Sequence, residues 1–272
     1  MTKNRHEKER SSRRQKTLAI FRRGHFGDVI LTEPVIRPFL TEFDHLTLYT
    51  DFPKAAQLLD LYDEIKPYST RLEVAEGTFD RVLCPVYETY PGINHLDGYA
   101  QCLGVHPYRR VPKIKRGAPK IAEGQYVLIA PHTSEFVKGM RQWPFQRFQD
   151  LAQRLEHTFL TRVVLLTPEH TFEEMVSLIE HCAWFVGNDS GPAILAQCFG
   201  KVTFIIFGAT RPELVTLSTT AVALLHYVGC NGCKHFARHT DIECATPMCL
   251  LDFEVEEAFE QIRAEAWRIS KS

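Results

Sequence analysis

The stretch Phe185 to Pro212, FVGNDSGPAILAQCFGKVTFIIFGATRP, constrains this chain more than any other. Its apolar runs and breakers predict strand, tight polar turn, helix, Gly, strand and Gly-rich loop. A strand, a helix and a strand in that order form a parallel βαβ unit. The turn Asn188-Asp189-Ser190-Gly191-Pro192 lies between an apolar strand end and an Ala-rich helix start. A helix start offers unpaired backbone N–H groups and the positive end of the helix dipole. That is a seat for phosphate, so Asp189, Ser190, Gly191 and Pro192 are candidate binding residues.

The same alternation runs through the chain. In the first half, strands are expected at Thr17–Phe21, Leu46–Tyr49 and Phe79–Pro85. Helices are expected at about Val29–Phe43, Ala55–Ile65 and Tyr99–Leu103, with Pro34 in the first turns of its helix or kinking it. Residues 105–124 change character, with Pro107, Pro112, Pro119, Gly117 and several basic residues. The domain boundary is placed there. Beyond it come strands at Tyr126–Ala130, Val163–Leu166, Trp184–Val186 and Val202–Phe207. Helices follow at Phe145–Glu156, Thr171–Glu180 and Val255–Ile269. The reading is α/β: a basic tail (1–16), an N-terminal Rossmann-like domain (17–116) and a C-terminal one (117–272), with parallel sheets facing a cleft.

Composition narrows the function classes. A chain of 272 residues with net charge −1 is an ordinary globular protein, not a polyelectrolyte binder as a whole. Lys3, Arg5, Lys8, Arg10, Arg13, Arg14 and Lys16 make the tail basic. It reads either as a solvated extension or as a tether to nucleic acid or an anionic surface. It lacks the apolar run of a signal peptide, and no stretch reaches the ~18 apolar residues of a membrane span. The expected location is the cytoplasm. With no export signal, the cluster Cys230, Cys233, Cys244 and Cys249 reads as a structural Zn²⁺ or iron site, with thiols or partial disulfides as the other reading. His226, His235 and His239 lie nearby.

The first strand-to-helix turn is Arg22-Arg23-Gly24-His25-Phe26-Gly27-Asp28. Its glycine spacing is not that of a dinucleotide fingerprint. Asp28 reads either as a helix cap or as a general base over a cleft, with Gly27 letting a substrate approach the backbone.

GHFGDVILTEPVIRPFL resembles the N-terminal signature of glycosyltransferase family nine, the ADP-heptose:lipopolysaccharide heptosyltransferases, in Gly27-Asp28, Thr32-Glu33-Pro34 and Leu40. GNDSGPAILAQCFGKVTFIIFGATRPE resembles the second signature, and Gln142-Trp143-Pro144 a Lys/Arg-x-Trp-Pro element. The resemblance covers roughly residues 17–260. It implies a short, divergent member with the GT-B architecture and an inverting transfer of a heptose-like sugar or hexose. The donor would be a nucleotide-diphospho-sugar, ADP-linked by preference, and Asp28 the base. His132, Thr133, Ser134, Lys138 and Arg141 would hold the diphosphate with Asp189, Ser190, Gly191 and Pro192. Asp189 would cap its helix and orient donor hydroxyls. No Asp-x-Asp pair is present, and these cations suit a metal-independent chemistry. The expected acceptor is a glycan of lipopolysaccharide; a protein or modified DNA is the alternative, reached through the tail. In some relatives the cysteine cluster holds iron.

Three departures stand out. Ile194 replaces the signature His, Arg211 replaces an Asp in the Thr-x-Pro loop, and the donor half is short. Ile194 and the short donor half favour a second class of function, a non-catalytic sugar-nucleotide-binding scaffold.

Overall fold

The computed structural model describes residues 14–68, 77–134, 138–233 and 244–270, with the backbone alone at 138, 269 and 270. Nine strands among the described residues form two sheets in which every pairing is parallel. The first sheet has the order β3-β2-β1-β4, from β1 (Thr17–Phe21), β2 (His45–Thr50), β3 (Glu64–Pro67) and β4 (Arg81–Leu83). The second has the order β6-β5-β7-β8-β9, from β5 (Tyr126–Ala130), β6 (Arg162–Leu165), β7 (Trp184–Asn188), β8 (Val202–Ile206) and β9 (Ala221–Leu224). The central strands β1 and β5 are almost wholly buried, as continuous apolar runs in parallel sheets must be.

In each sheet the chain moves outward on one side of its first strand and then returns to the other side. The switch points therefore lie between β1 and β4 and between β5 and β7. Loops at the carboxyl ends of such strands diverge and leave a crevice. The two crevices face each other, and this positions the site.

The helix expected over Val29–Phe43 is three short pieces: α1 (Phe26–Ile30), α2 (Glu33–Ile36) and a 3-10 turn (Arg37–Thr41). Pro34 falls in the first turn of α2, where its missing N–H costs nothing. The Thr32 hydroxyl lies in the break, donating to the Val29 carbonyl and pairing with Tyr62 Oη. The Ala55–Ile65 helix is also shorter, α3 (Pro53–Gln57), because its second half becomes the edge strand β3. α4 (His95–Leu103) follows β4.

The second half carries α5 (Lys138–Arg141), α6 (Phe145–Phe159), α7 (Phe172–His181), α8 (Gly191–Cys198), α9 (Pro212–Val215), α10 (Met248–Leu251) and α11 (Val255–Ser270). A reciprocal capping box, Thr171 with Glu174, starts α7. On the other face of the sheet Trp143, Phe148, Phe204, Phe253, Phe259 and Ile262 form a separate core under α6 and α11.

Segment 105–124 is bonded to both halves. Lys113 and Lys115 N–H groups donate to Glu33 Oε2 and to the Leu58 carbonyl. Gly117 and Ala118 N–H groups donate to the Glu180 carboxylate at 2.7 and 2.8 Å. No helix among the described residues is long and apolar enough to cross a membrane.

Candidate active site

One cavity of about 360 Å³ lies where the two crevices meet. Asp28 lines it from the first half; Thr133, Ser134, Arg141, Asp189, Ser190, Gly191 and Pro192 line it from the second. His132 is on the wall too. The side chain of Lys138 lies outside the described residues. A second cavity of about 310 Å³ shares His132, Thr133 and Pro192 with the first and extends over Leu166, Thr167 and Pro168.

Asp28 is at the third position of α1. Its Oδ2 accepts the His25 N–H at 2.7 Å, so it does serve as a cap. Its other oxygen is committed elsewhere: Oδ1 accepts the Tyr87 hydroxyl at 3.0 Å and lies 3.5 Å from Arg22 Nη2. Gly24 makes this possible. It has φ +122°, and a Cβ there would lie 2.6 Å from Asp28 Oδ2. Gly27 lines the cavity and also meets Gly191 of α8, whose Cα would lie 3.3 Å from a Cβ at Gly27. The ring of Phe26 covers Gly191 so closely that a Cβ there would overlap it. The two halves thus meet with a glycine on each side.

On the second half, buried Asn188 ties the crevice loops together. Its Oδ1 accepts the Trp143 N–H at 2.9 Å and its Nδ2 donates to the Pro131 carbonyl at 2.8 Å. Gln142 Oε1 accepts the Thr133 N–H. The N-cap of α8 is Ser190, not Asp189 as expected; its hydroxyl donates to the Asn188 carbonyl. Asp189 is buried, and its Oδ2 is ion-paired with Arg141, 3.4 Å from Nη1, without a hydrogen bond of good geometry.

Ile194 is buried on the cavity wall where the signature has His. Arg211 does not line the cavity: its stem lies over Gly232, at the cysteine segment, and its Nε is 3.6 Å from Glu213.

The cysteine cluster read from the sequence is Cys230, Cys233, Cys244 and Cys249. Burial first, then the other three cysteines, pushes Cys249 up to about 11. Among the described residues, no three His, Cys, Asp or Glu are grouped tightly enough to hold a metal ion. His235 and His239 lie outside the described residues.

Tyr87 and Glu88 were missed from the sequence, and Arg22 was read there only as part of its turn, with no role. Arg22 directly follows β1, and Tyr87 and Glu88 follow β4. The available signal was Arg22 itself, a charge at the end of a buried strand that needs a counter-charge.

Two parallel α/β sheets with facing crevices form the GT-B architecture of glycosyltransferases. The family resemblance is borne out where the second signature lies: a family model, glycosyltransferase family 9 (heptosyltransferase), matches residues 157–243. The iron-containing dodecameric glycosyltransferase TibC from enterotoxigenic E. coli H10407 superposes with a TM-score of 0.71 at 17% identity, over 94% of this chain and 77% of that one. E. coli ADP-heptose LPS heptosyltransferase II gives 0.66 at 15% identity, over 94% and 100%. TibC solved with ADP-D-beta-D-heptose gives 0.69 at 17% identity, over 92% and 76%. No curated protein matches in sequence. Family match and fold together support a glycosyltransferase using a nucleotide-sugar.

Proposed function

We propose that the chain is an inverting glycosyltransferase that moves a sugar from a nucleotide-diphospho-sugar to an acceptor hydroxyl, with Asp28 as base. One observation carries this: Asp28 and the phosphate-binding candidates, read from distant parts of the sequence, line one cleft from opposite sides. The acceptor oxygen, losing its proton to Asp28, attacks the anomeric carbon as the bond to the diphosphate oxygen breaks on the opposite face. Negative charge then grows on the departing nucleoside diphosphate. The Ser190 and Gly191 amides at the start of α8, with Thr133, Ser134, Lys138 and Arg141, take up that charge. Asp189, on the cavity wall and ion-paired with Arg141, orients donor hydroxyls, and Pro192 lets the helix start without a spare N–H. The second cavity takes the nucleoside. An ADP-sugar, of heptose type, is the proposed donor, since TibC was solved with ADP-D-beta-D-heptose.

We place the domain boundary at 116/117. The acceptor binds the N-terminal half; lipopolysaccharide glycan is the proposed class, in the cytoplasm. A protein or nucleic-acid acceptor reached through the tail, whose residues 1–13 lie outside the described residues, is the alternative. The four cysteines would hold a structural metal, Zn²⁺ or iron, only after a rearrangement that brings their thiolates together, since no metal-holding group is assembled among the described residues.

Ile194 favours a second reading, a binding scaffold without turnover. A thermal-shift screen of nucleotide-sugars, followed by ADP release with wild type and Asp28→Asn, separates them. Stabilisation by a donor with ADP release that falls about 10²–10⁴-fold in the variant supports transfer. Stabilisation without release by wild type supports the scaffold. Release that survives Asp28→Asn removes the base assignment.

A further inference from the structure

We propose that Tyr87, Arg22 and Glu88 form a positioning network around Asp28, in which Tyr87 and Arg22 fix the carboxylate against the cleft and Glu88 shares the Arg22 charge. The inference rests on reading Asp28 as the base.

The network is built from the first-sheet switch point. Arg22 lies at the end of β1, and Tyr87 and Glu88 lie in the loop after β4, so the topology alone brings them together. The Arg22 side chain is 5% exposed. It makes a two-pronged bond to Glu88, 2.6 Å to Oε1 and 3.2 Å to Oε2, and its Nη2 lies 3.5 Å from Asp28 Oδ1. One buried cation therefore serves two carboxylates. Its guanidinium lies over the Tyr87 and Tyr99 rings, 5.3 and 5.1 Å from their centroids. Burial works against the Arg22 charge, but Tyr99, Asp28 and Glu88 outweigh it and raise its pKa.

Tyr87 is held as firmly. Its ring stacks on His95 with centroids 3.9 Å apart, and its Cβ would lie 2.8 Å from any Cβ at Gly98. Burial and the nearby Asp28 keep its phenol protonated, so it donates to Asp28. The Tyr99 hydroxyl donates to the Asp28 backbone carbonyl at 3.3 Å. With Oδ2 bonded to the His25 N–H, both oxygens of the carboxylate are fixed.

The other titratable groups on the cavity wall with Asp28 are His25 in its own turn, His95 beneath Tyr87, and His132, Arg141 and Asp189 across the cleft.

The two ends of the network pull in opposite directions. Tyr87→Phe removes a donor to the anion, so Asp28 should hold its proton to higher pH. Glu88→Gln removes a neighbouring negative charge and leaves Arg22 to Asp28, so protonation should need lower pH. A merely structural role moves both variants the same way or neither.

The test is a pH titration of the Asp28 Cγ resonance in the full chain labelled with ¹³C-aspartate, assigned by its loss in Asp28→Asn. The expected midpoint rises in Tyr87→Phe and falls in Glu88→Gln. Midpoints within about 0.2 unit of wild type in both variants, or moved in one direction, overturn the network. No substrate is needed, so the two claims fail separately. Turnover surviving in Asp28→Asn sinks the base reading, whereas an inactive Asp28→Asn with unmoved midpoints sinks the network alone.

Discussion

Asn188→Ala should destabilise the second half and loosen donor binding together. Asn188 is fully buried, and its amide satisfies two backbone groups on separate loops, the Trp143 N–H and the Pro131 carbonyl. Alanine leaves both buried and unpaired. Each such group costs about 1–3 kcal/mol, so the loss should total about 2–6 kcal/mol. For a chain of this size that lowers the melting temperature by roughly 5–15 °C. Those loops also carry His132, Thr133 and Ser134 on one side and Asp189, Ser190 and Gly191 on the other, so the phosphate seat loses its tie. Urea unfolding gives the stability change, and calorimetric titration with ADP-heptose gives the affinity. A change under about 0.5 kcal/mol, typical of a surface substitution, would refute the argument that Asn188 holds the crevice.

Gly191→Ala should cost about 1–3 kcal/mol by overpacking against Phe26 and should weaken donor affinity at the start of α8; unfolding and titration read both. Leu160→Gly should stabilise by about 0.5–1 kcal/mol, because Leu160 ends α6 at φ 48° with 91% of its surface exposed, and the denaturation midpoint checks it. Alkaline stability should fall. Burial foremost pushes Cys182 and Tyr126 up to about 12. The folded state keeps protons that the unfolded chain releases, so stability is full below about pH 9 and is lost as pH rises through about 12. Urea midpoints from pH 8 upward measure this, and Cys182→Ala should flatten part of the fall.

The alternation of buried strands and helices was legible because a parallel strand covered on both faces must be continuously apolar; β5 matches its expected residues, Tyr126 to Ala130. The edge strands β3 and β9 were not legible. Glu64-Ile65-Lys66-Pro67 is largely exposed, so only backbone pairing with β2 defines it. The break at Thr32 depends on Tyr62, thirty residues away, which no local pattern reports. In the site, Asp28 and the 188–192 turn were legible because a strand end followed by a helix start has a chemical purpose wherever it occurs. The Arg22, Tyr87 and Glu88 network spans more than sixty residues of sequence and exists only through the strand order β1-β4. The Asp189 contact to Arg141 likewise needs the fold: sequence reading made Asp189 a cap, and Ser190 took that place.

The central claim is a division of labour across the cleft, with the donor held by the second half and the proton taken by the first. Calorimetric titration of ADP-heptose into wild type, Arg141→Gln and Asp28→Asn tests it most directly. The account predicts that Arg141→Gln weakens binding about 10–100-fold, as loss of a charged hydrogen bond to phosphate does, and that Asp28→Asn binds within about twofold of wild type. Donor affinity that survives Arg141→Gln and disappears in Asp28→Asn would contradict it.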